Sequence, residues 1–385
     1  MIRNLVLFNY KCFKEDIRIP FSRINVLYGK NGRGKSSAIQ SLLLLSQSVR
    51  RNGGNLNTLA INGDMVGLGT FDDIRNRYNL DEQCIRITVE SEEEEPLKLT
   101  YGPDTKYPTL ARLEDIWVGN RHYVTESESA GSTPFSVPVV LSENNIKTFL
   151  PQSDIKTYEL LRNILYVSAN RRGPVNFEAR NDKSSAMEVD SHGENLINLL
   201  STQSNSFLLQ FGEELSYILY GASVRIYPNP DTPDRIELFL DSRDGNNHAG
   251  FRPKNVGFGY SYILPVIYQA MSAPDGGTVI VENPEAHLYP GAQSRLVDFL
   301  IKFSNRKNLQ VILETHSDHI INGLRLAIKN NTIGRSDASV LFFDRGKDDF
   351  GTPEIEQILI DSHGSLSNEP EDFMDEWTRQ MLALL

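Results

Sequence analysis

Residues Gly29-Lys30-Asn31-Gly32-Arg33-Gly34-Lys35-Ser36 fit the pattern G-x-x-x-x-G-K-[ST], and no other feature restricts the fold of this chain as much. The pattern demands a buried strand before it and a helix after it. Ile24-Asn25-Val26-Leu27-Tyr28 reads as that strand, and Ser37 to Val49, with Leu42–Leu45 at its centre, reads as that helix. The glycines let the backbone wrap a phosphate with its N–H groups turned inward, and the helix start adds positive potential. On this reading Asn31, Gly32, Gly34, Lys35, Ser36 and Ser37 hold the phosphates of a nucleoside triphosphate. Lys35 reaches the β and γ groups, and Ser36 ligates Mg²⁺.

With 385 residues the chain has length for one large domain or two ordinary ones, and 39% hydrophobic residues supply a core. A net charge of −11 gives non-specific nucleic-acid binding no help from the global field. The basic pairs Arg50-Arg51, Arg171-Arg172 and Arg306-Lys307 are short and read as solvated surface. Two cysteines, Cys12 and Cys84, exclude a disulfide framework and a Cys-rich zinc site. Met1-Ile2-Arg3-Asn4-Leu5 lacks a signal-peptide pattern. No apolar run approaches the ~20 residues of a membrane span. The expected setting is a soluble, reducing compartment, the cytoplasm.

Ile2–Phe8, Asp16–Phe21 and Ile24–Tyr28 read as strands leading into the glycine loop. Cys84–Val89 alternates like a half-buried strand, with Pro96–Tyr101 as a hairpin partner. The acidic run Ser91–Glu95 between them reads as a solvated tip, or else as a contact for a basic partner. Ser127–Pro138 reads as a mobile loop and Asn181–Ser191 as loosely ordered. Tyr158–Val167 reads as a helix-to-strand passage, Glu194–Tyr220 as helical, and Val224–Tyr227 with Arg235–Asp241 as a strand pair. From Thr278 the pattern alternates strand and helix: strand Thr278–Val281, helix Gly291–Ser304, strand Leu309–Leu313, helix His319–Lys329, then strands Val340–Phe343 and Ile355–Ile360.

Three further elements join the glycine loop. Thr278-Val279-Ile280-Val281-Glu282 is a buried strand ending in acid, and Glu282 there can hold Mg²⁺. Upstream, Gly257-Phe258-Gly259-Tyr260-Ser261-Tyr262 opens a helix whose N-terminus can meet the γ phosphate of a nucleotide held by another protomer. Downstream, His316 in Glu314-Thr315-His316-Ser317-Asp318-His319 ends a strand, where an imidazole can touch the γ phosphate and report its presence.

These four elements, in this order, resemble an ABC-type ATPase of the SMC-like class. More closely, Val281-Glu282-Asn283-Pro284-Glu285-Ala286-His287-Leu288 and Glu314–His319 resemble the compact AAA-type ATPases related to the OLD family, many of them from bacterial anti-phage defence operons. Asn9-Tyr10-Lys11-Cys12-Phe13 resembles the opening of that class, Tyr166–Pro174 a mid-chain Arg-Pro segment, and Ile355–Leu385 a small C-terminal domain of unknown function. The resemblance implies an α/β fold: a P-loop, SMC-like ATPase head with an inserted β-hairpin and helical lobe. It implies an N-terminal ATPase lobe over 1–90, the insertion over 91–250, a C-terminal ATPase lobe over 251–345 and a tail domain over 346–385. It further implies a homodimer or higher oligomer that clamps two Mg-ATP head to tail. Lys35, Ser36 and Glu282 of one subunit then face Gly257, Gly259 and Ser261 of the other, with His316 as the switch histidine.

The sequence also departs from that class. Where most members place Asp then Glu, this chain has Glu282 and Asn283, and Asn cannot accept a proton. Loss of a positioned base costs about 10²–10⁴ in rate, so hydrolysis is either slow or served by Glu285. Tyr262 stands where relatives carry Gln. Gln47 is open to two readings, a Q-loop residue or a helix-surface glutamine. His287 reads as packing, and Asp318 and His319 as helix-start residues. Asp344, Asp348 and Asp349 read as part of a hairpin turn about Arg345-Gly346-Lys347 rather than a metal cluster. Phe373, Trp377, Met381 and Leu385 recur every four residues, the pattern of a helix packed on its own core or docked on a partner. The stretch after His319 is too short for a Toprim nuclease domain plus this tail. Two roles stay open: an ATP-controlled switch for a separate effector, a nuclease or toxin, in antiviral defence, or a DNA-repair ATPase similar to RecF, for which nucleic acid is the partner. Neither needs a membrane.

Overall fold

The computed structural model describes residues 1–51, 56–92, 94–125, 136–141, 147–151, 156–180, 189–229, 231–241, 250–346 and 352–384. The chain divides into two compact units. The first takes Met1–Ile164, Gly276–Thr278 and Ser339–Ile358; the second takes Leu165–Asp275, Val279–Ala338 and Leu359–Leu385.

The first unit is built on an antiparallel sheet. Its order is Lys147–Pro151, Ser136–Leu141, Arg121–Thr125, Leu110–Val118, Leu97–Pro103, Ile85–Ser91, Ile2–Phe8 and Ile17–Pro20, and Thr58–Ala60 pairs with Leu110–Val118. Register follows from alternation, since side chains one residue apart face opposite sides. Ile85, Ile87 and Val89 oppose Tyr101, Leu99 and Leu97, and Val89 and Ile87 oppose Leu5 and Leu7. All of these are buried, so one face is core. The expected hairpin is the middle of this longer meander.

Its acidic connection is exposed at Glu92 and Glu95, as expected of a solvated tip, but its carboxylates also find partners within the chain. Glu90 pairs with Arg18, and Glu92 with Arg3 and the N-terminal amine. Glu94 accepts the backbone N–H of Lys156 at 2.6 Å and of Thr157 at 3.0 Å, at the start of the helix Lys156–Arg162. A carboxylate there satisfies donors that have no partner within a helix.

The strand Ile24–Gly29 neighbours Ala338–Arg345, which pairs antiparallel with Pro353–Ile358. The helix Lys35–Arg51 buries Leu42, Leu43, Leu44 and Leu45 completely, because it packs beneath Thr58–Ala60 and beside Lys156–Arg162. The second unit carries, side by side, the apolar strands Ile164–Val167, Thr278–Glu282 and Gln310–Glu314. Such continuous apolar runs suit strands covered on both faces. The helices Pro290–Lys307 and Asp318–Lys329 pack together, with Gly323 against Val297. A smaller sheet of Phe177–Ala179, Arg235–Asp241 and Ser223–Pro228 carries the helices Leu196–Ser201 and Asn205–Ile218. The single helix expected over Glu194–Tyr220 is therefore two, divided where Ser204 caps the N–H of Phe207.

In the tail, the Asp361 carboxylate accepts the N–H groups of His363 and Ser365, and Arg325 donates to the carbonyl of Gly364 at 2.7 Å. The terminal helix is Glu376–Ala383, so the buried Phe373 precedes it rather than sharing its face. Met381, Leu382 and Leu384 are 44%, 67% and 81% exposed, so these residues do not pack on the chain's own core. The Trp377 side chain and Leu385 lie outside the described residues, as do most of the Ser127–Pro138 and Asn181–Ser191 stretches and both Asp348 and Asp349. Among the described residues no helix is long and apolar enough to cross a membrane.

Candidate functional site

In the first unit the strand Ile24–Gly29 delivers the chain into the glycine loop, and the helix starts at Lys35. Gly29, Gly32 and Gly34 have φ of +131°, +73° and +97°, a region closed to most side chains. Space closes it further: a Cβ on Gly34 would stand 2.8 Å from the ring of Phe13 and 3.1 Å from Cys12 Sγ. Asn9 and Lys11 are also left-handed, and Asn76 holds the carbonyl of Lys11. The Asn9–Phe13 turn is therefore a brace on which the loop rests. Lys35 is only 3% exposed, and its Nζ donates to the carbonyls of Gly29 and Lys30, each at 2.8 Å. Asn31 and Gly32 are exposed, and Ser36 and Ser37 half-buried. Left-handed glycines, a fixed ammonium and an exposed rim make the concave backbone that an anion requires, so these residues fit a triphosphate.

In the second unit the strand Thr278–Glu282 ends in the turn Asn283–His287. Asn283 has φ +44° and donates its N–H to Glu314 O at 2.7 Å; His287 has φ +62°. The Glu282 carboxylate accepts the Ala169 N–H at 3.3 Å. Burial holds its pKa above the usual carboxylate value, offset in part by that N–H, the Tyr166 hydroxyl and Arg171. Glu285 Oε1 accepts the backbone N–H of His316 at 3.0 Å, while Oε2 is buried with no hydrogen-bond partner among the described residues. A carboxylate with one oxygen anchored and the other lacking a hydrogen-bond partner has acceptor capacity left for a proton or a cation. His316 is exposed. Ser317 caps the next helix, accepting the His319 N–H at 3.1 Å and donating to Gln293 at 2.5 Å.

The 15-residue helix Phe258–Ser272 begins at Gly257 with no side-chain cap. Gly257 is exposed. Gly259 is buried, and a Cβ on it would lie 2.5 Å from the carbonyl of His287. Ser261 Oγ is itself buried and helps line a small cavity with Arg172 and Glu178. The His287 ring stands 4.7 Å edge-on to Tyr262 and 5.5 Å from Phe258, so it packs as expected, though at the surface.

Residues 24–322 match a family model described as "AAA domain, putative AbiEii toxin, Type IV TA system". The chain belongs to this AAA-domain family. Residues 333–384 of this AAA protein match a second model, described as a "Protein of unknown function (DUF3696)". No curated protein matches it. Among solved structures it is similar to an SMC head bound to the C-winged helix domain of ScpA, at 14% identity and TM-score 0.50 over 94% of this chain and 98% of that one. It is also similar to the SMC head domain from Thermotoga maritima (12% identity, TM-score 0.46, 92% and 98% covered). A third is the SMC head with an extended coiled coil bound to the C-terminal domain of ScpA, from Pyrococcus furiosus (13%, 0.47, 100% and 99%). The first likeness carries the fold: this is an AAA-type ATPase with an SMC-head-like α/β architecture.

Two expectations for this AAA chain change. Gln47 is 2% exposed and is not on a helix surface. Its Nε2 donates to Ala60 O at 2.6 Å and its Oε1 accepts the Val66 N–H at 3.0 Å, so it clamps the loop after Thr58–Ala60. Each basic pair keeps one exposed member, Arg51, Arg172 or Arg306, and turns the other inward. Arg50 donates to Ile164 O at 2.6 Å, and Lys307 to the carbonyls of Met271 and Ala273 at 2.6 and 2.7 Å, at the end of the helix Phe258–Ser272. Arg171 is 3% exposed. Only its place before Gly173-Pro174 marked it in the sequence, and composition could not tell a buried arginine from a surface one.

Proposed function

We propose that the chain is a dimeric Mg-ATP-dependent switch that restrains or licenses a separate effector protein in bacterial antiviral defence. Asn31, Gly32, Gly34, Lys35, Ser36 and Ser37 cradle the triphosphate. Ser36 and Glu282 are the residues that would hold Mg²⁺, which when bound neutralises charge on the β and γ phosphates. Lys35 orients those phosphates from a position already fixed by two carbonyls. Glu285 takes the proton of the attacking water, with His316 beside it as the γ-phosphate sensor. Gly257, Gly259 and Ser261 open the helix that faces a second protomer's nucleotide. With Ser261 Oγ turned inward, backbone N–H groups at that helix start make the contact. Closure on ATP and opening after hydrolysis pass the state to the effector.

The observation that carries the reading is Glu285. It has one oxygen held by the His316 N–H and the other buried without a hydrogen-bond partner among the described residues, beside an Asn283 that cannot act as a base. The family's description, "AAA domain, putative AbiEii toxin, Type IV TA system", and a similar SMC head bound to a winged-helix domain support a protein partner. The DNA-repair alternative is less favoured, because one member of each basic pair, Arg50, Arg171 and Lys307, donates to the chain's own carbonyls, while Arg51, Arg172 and Arg306 stay exposed.

The test is steady-state ATP turnover of wild type, Lys35→Ala and Glu285→Gln, each with and without DNA, beside affinity capture from the native host. Turnover lost in both variants, no response to DNA and a co-purifying second protein are expected. Turnover that survives in Glu285→Gln removes Glu285 as the base, and strong stimulation by DNA revives the repair reading.

A further inference from the structure

Arg171 grips both the acidic turn and the start of the helix Phe258–Ser272. Its Nη2 donates to the carbonyls of Glu282 and Asn283, the latter at 3.1 Å. Its Nη1 lies 3.5 Å from the carbonyl of Tyr262, and the guanidinium carbon stands 5.8 Å from the centre of the Tyr262 ring. The side chain is deeply buried yet faces the charges of Glu285 and Glu282.

The segment that carries it is itself held. Ser168 N–H donates to Ser191 O at 2.8 Å, Arg172 N–H donates to His192 O at 2.6 Å, and the His192 ring lies 2.8 Å from Asn170 O. The turn needs such a grip. Asn283 and His287 are left-handed, so the strand's last carbonyls leave the ladder and require donors. One nitrogen of the guanidinium, Nη2, serves both turn carbonyls while the other, Nη1, reaches toward the helix, a two-ended span that the single nitrogen of an ammonium lacks. The contact between turn and helix is tight as well, since Gly259 has no room for a Cβ against His287 O.

We propose that Arg171 is a positioning residue that makes the turn Asn283–His287 and the helix start Phe258–Tyr262 move as one body. A displacement at the helix start is thereby delivered to Glu285. Resting on the function proposed above, this is the route by which a nucleotide bound to the partner protomer sets the geometry of the carboxylate in this one. Tyr262 belongs to the same device, through its carbonyl 3.5 Å from Nη1 and its ring 5.8 Å from the guanidinium carbon.

The test is amide hydrogen exchange of the full chain without nucleotide, for wild type, Arg171→Ala, Arg171→Lys and Tyr262→Leu, followed by MgATP kinetics. In Arg171→Ala the amides of both 283–287 and 258–262 are expected to exchange about tenfold faster together, the loss expected for a charged hydrogen bond. Segment 24–45 should not change. Turnover should fall by about 10- to 100-fold with KM nearly constant, as for a misplaced rather than missing group. Added guanidinium should recover part of it. Arg171→Lys and Tyr262→Leu, which keep the segment filled, should give intermediate exchange in both stretches.

Acceleration in only one stretch, acceleration everywhere, or none would overturn the proposal, as would a KM that rises in step with the lost turnover. Should wild type itself hydrolyse no ATP, the function proposed above fails while the exchange result still decides the role of Arg171.

Discussion

At position 283 a residue must adopt φ of +44° at the end of a buried strand, and asparagine is among the few non-glycine residues that tolerate this. Asn at this position thus has a conformational rationale, and the same left-handed step leads to Glu285 two residues later. Glu285→Gln is expected to lower kcat by about 10²–10⁴ with little change in ATP affinity, which single-turnover kinetics beside a binding titration would check. Lys35→Ala, which also loses turnover, should in addition weaken ATP binding by at least about tenfold through the loss of a charge-assisted contact, as read by a fluorescent ATP analogue. Gln47 spends its side-chain amide on buried backbone groups of its own chain. Gln47→Leu leaves the buried carbonyl of Ala60 and N–H of Val66 without their partner and should cost about 1–3 kcal/mol in urea unfolding, with ATP affinity retained.

Among elements, the helix Lys156–Arg162 is short and begins with its donors satisfied by Glu94, a residue 62 positions away. Glu94→Ala should lower stability by about 0.5–2 kcal/mol, whereas Glu94→Gln, which keeps an acceptor, should recover part of it in the same denaturation series. The strand Thr278–Glu282 carries the pH dependence. Burial raises the Glu282 pKa, so the folded chain holds that proton to higher pH than the unfolded chain does. Stability without metal therefore falls as pH rises from the ordinary glutamate value through the raised one, because the folded state binds more protons in that window. Mg²⁺ needs the ionised form, so Mg²⁺-dependent nucleotide binding should weaken as pH drops through the raised pKa. Titrations from pH 5 to 8 should show that acid limb in wild type and not in Glu282→Gln; an identical limb in both would assign it to another group.

For the whole molecule, the proposed clamp makes assembly depend on nucleotide. Glu285→Gln with MgATP should give a lasting dimer by light scattering, and Lys35→Ala should stay monomeric under the same conditions. A wild-type mass that ignores ATP would argue against the head-to-tail arrangement while leaving the AAA family and the fold untouched.

The glycine loop, the acid-ended strand, the capped helix after His316 and the alternating strand and helix from Thr278 were all legible in the residues, with ends within a few positions of those observed. Each rests on short-range rules: period-2 or period-3.6 burial, glycine where φ is positive, serine where a helix begins. What only the tertiary structure decided is where long polar side chains end. Glu94 caps a distant helix instead of meeting water, Gln47 fills a buried loop, and Arg171 binds two carbonyls 111 and 112 residues away. A lysine, arginine, glutamate or glutamine reads as surface in any local window, since isolated burial is unfavourable. It becomes interior only when remote backbone groups supply its partners, and no local pattern records which groups those are.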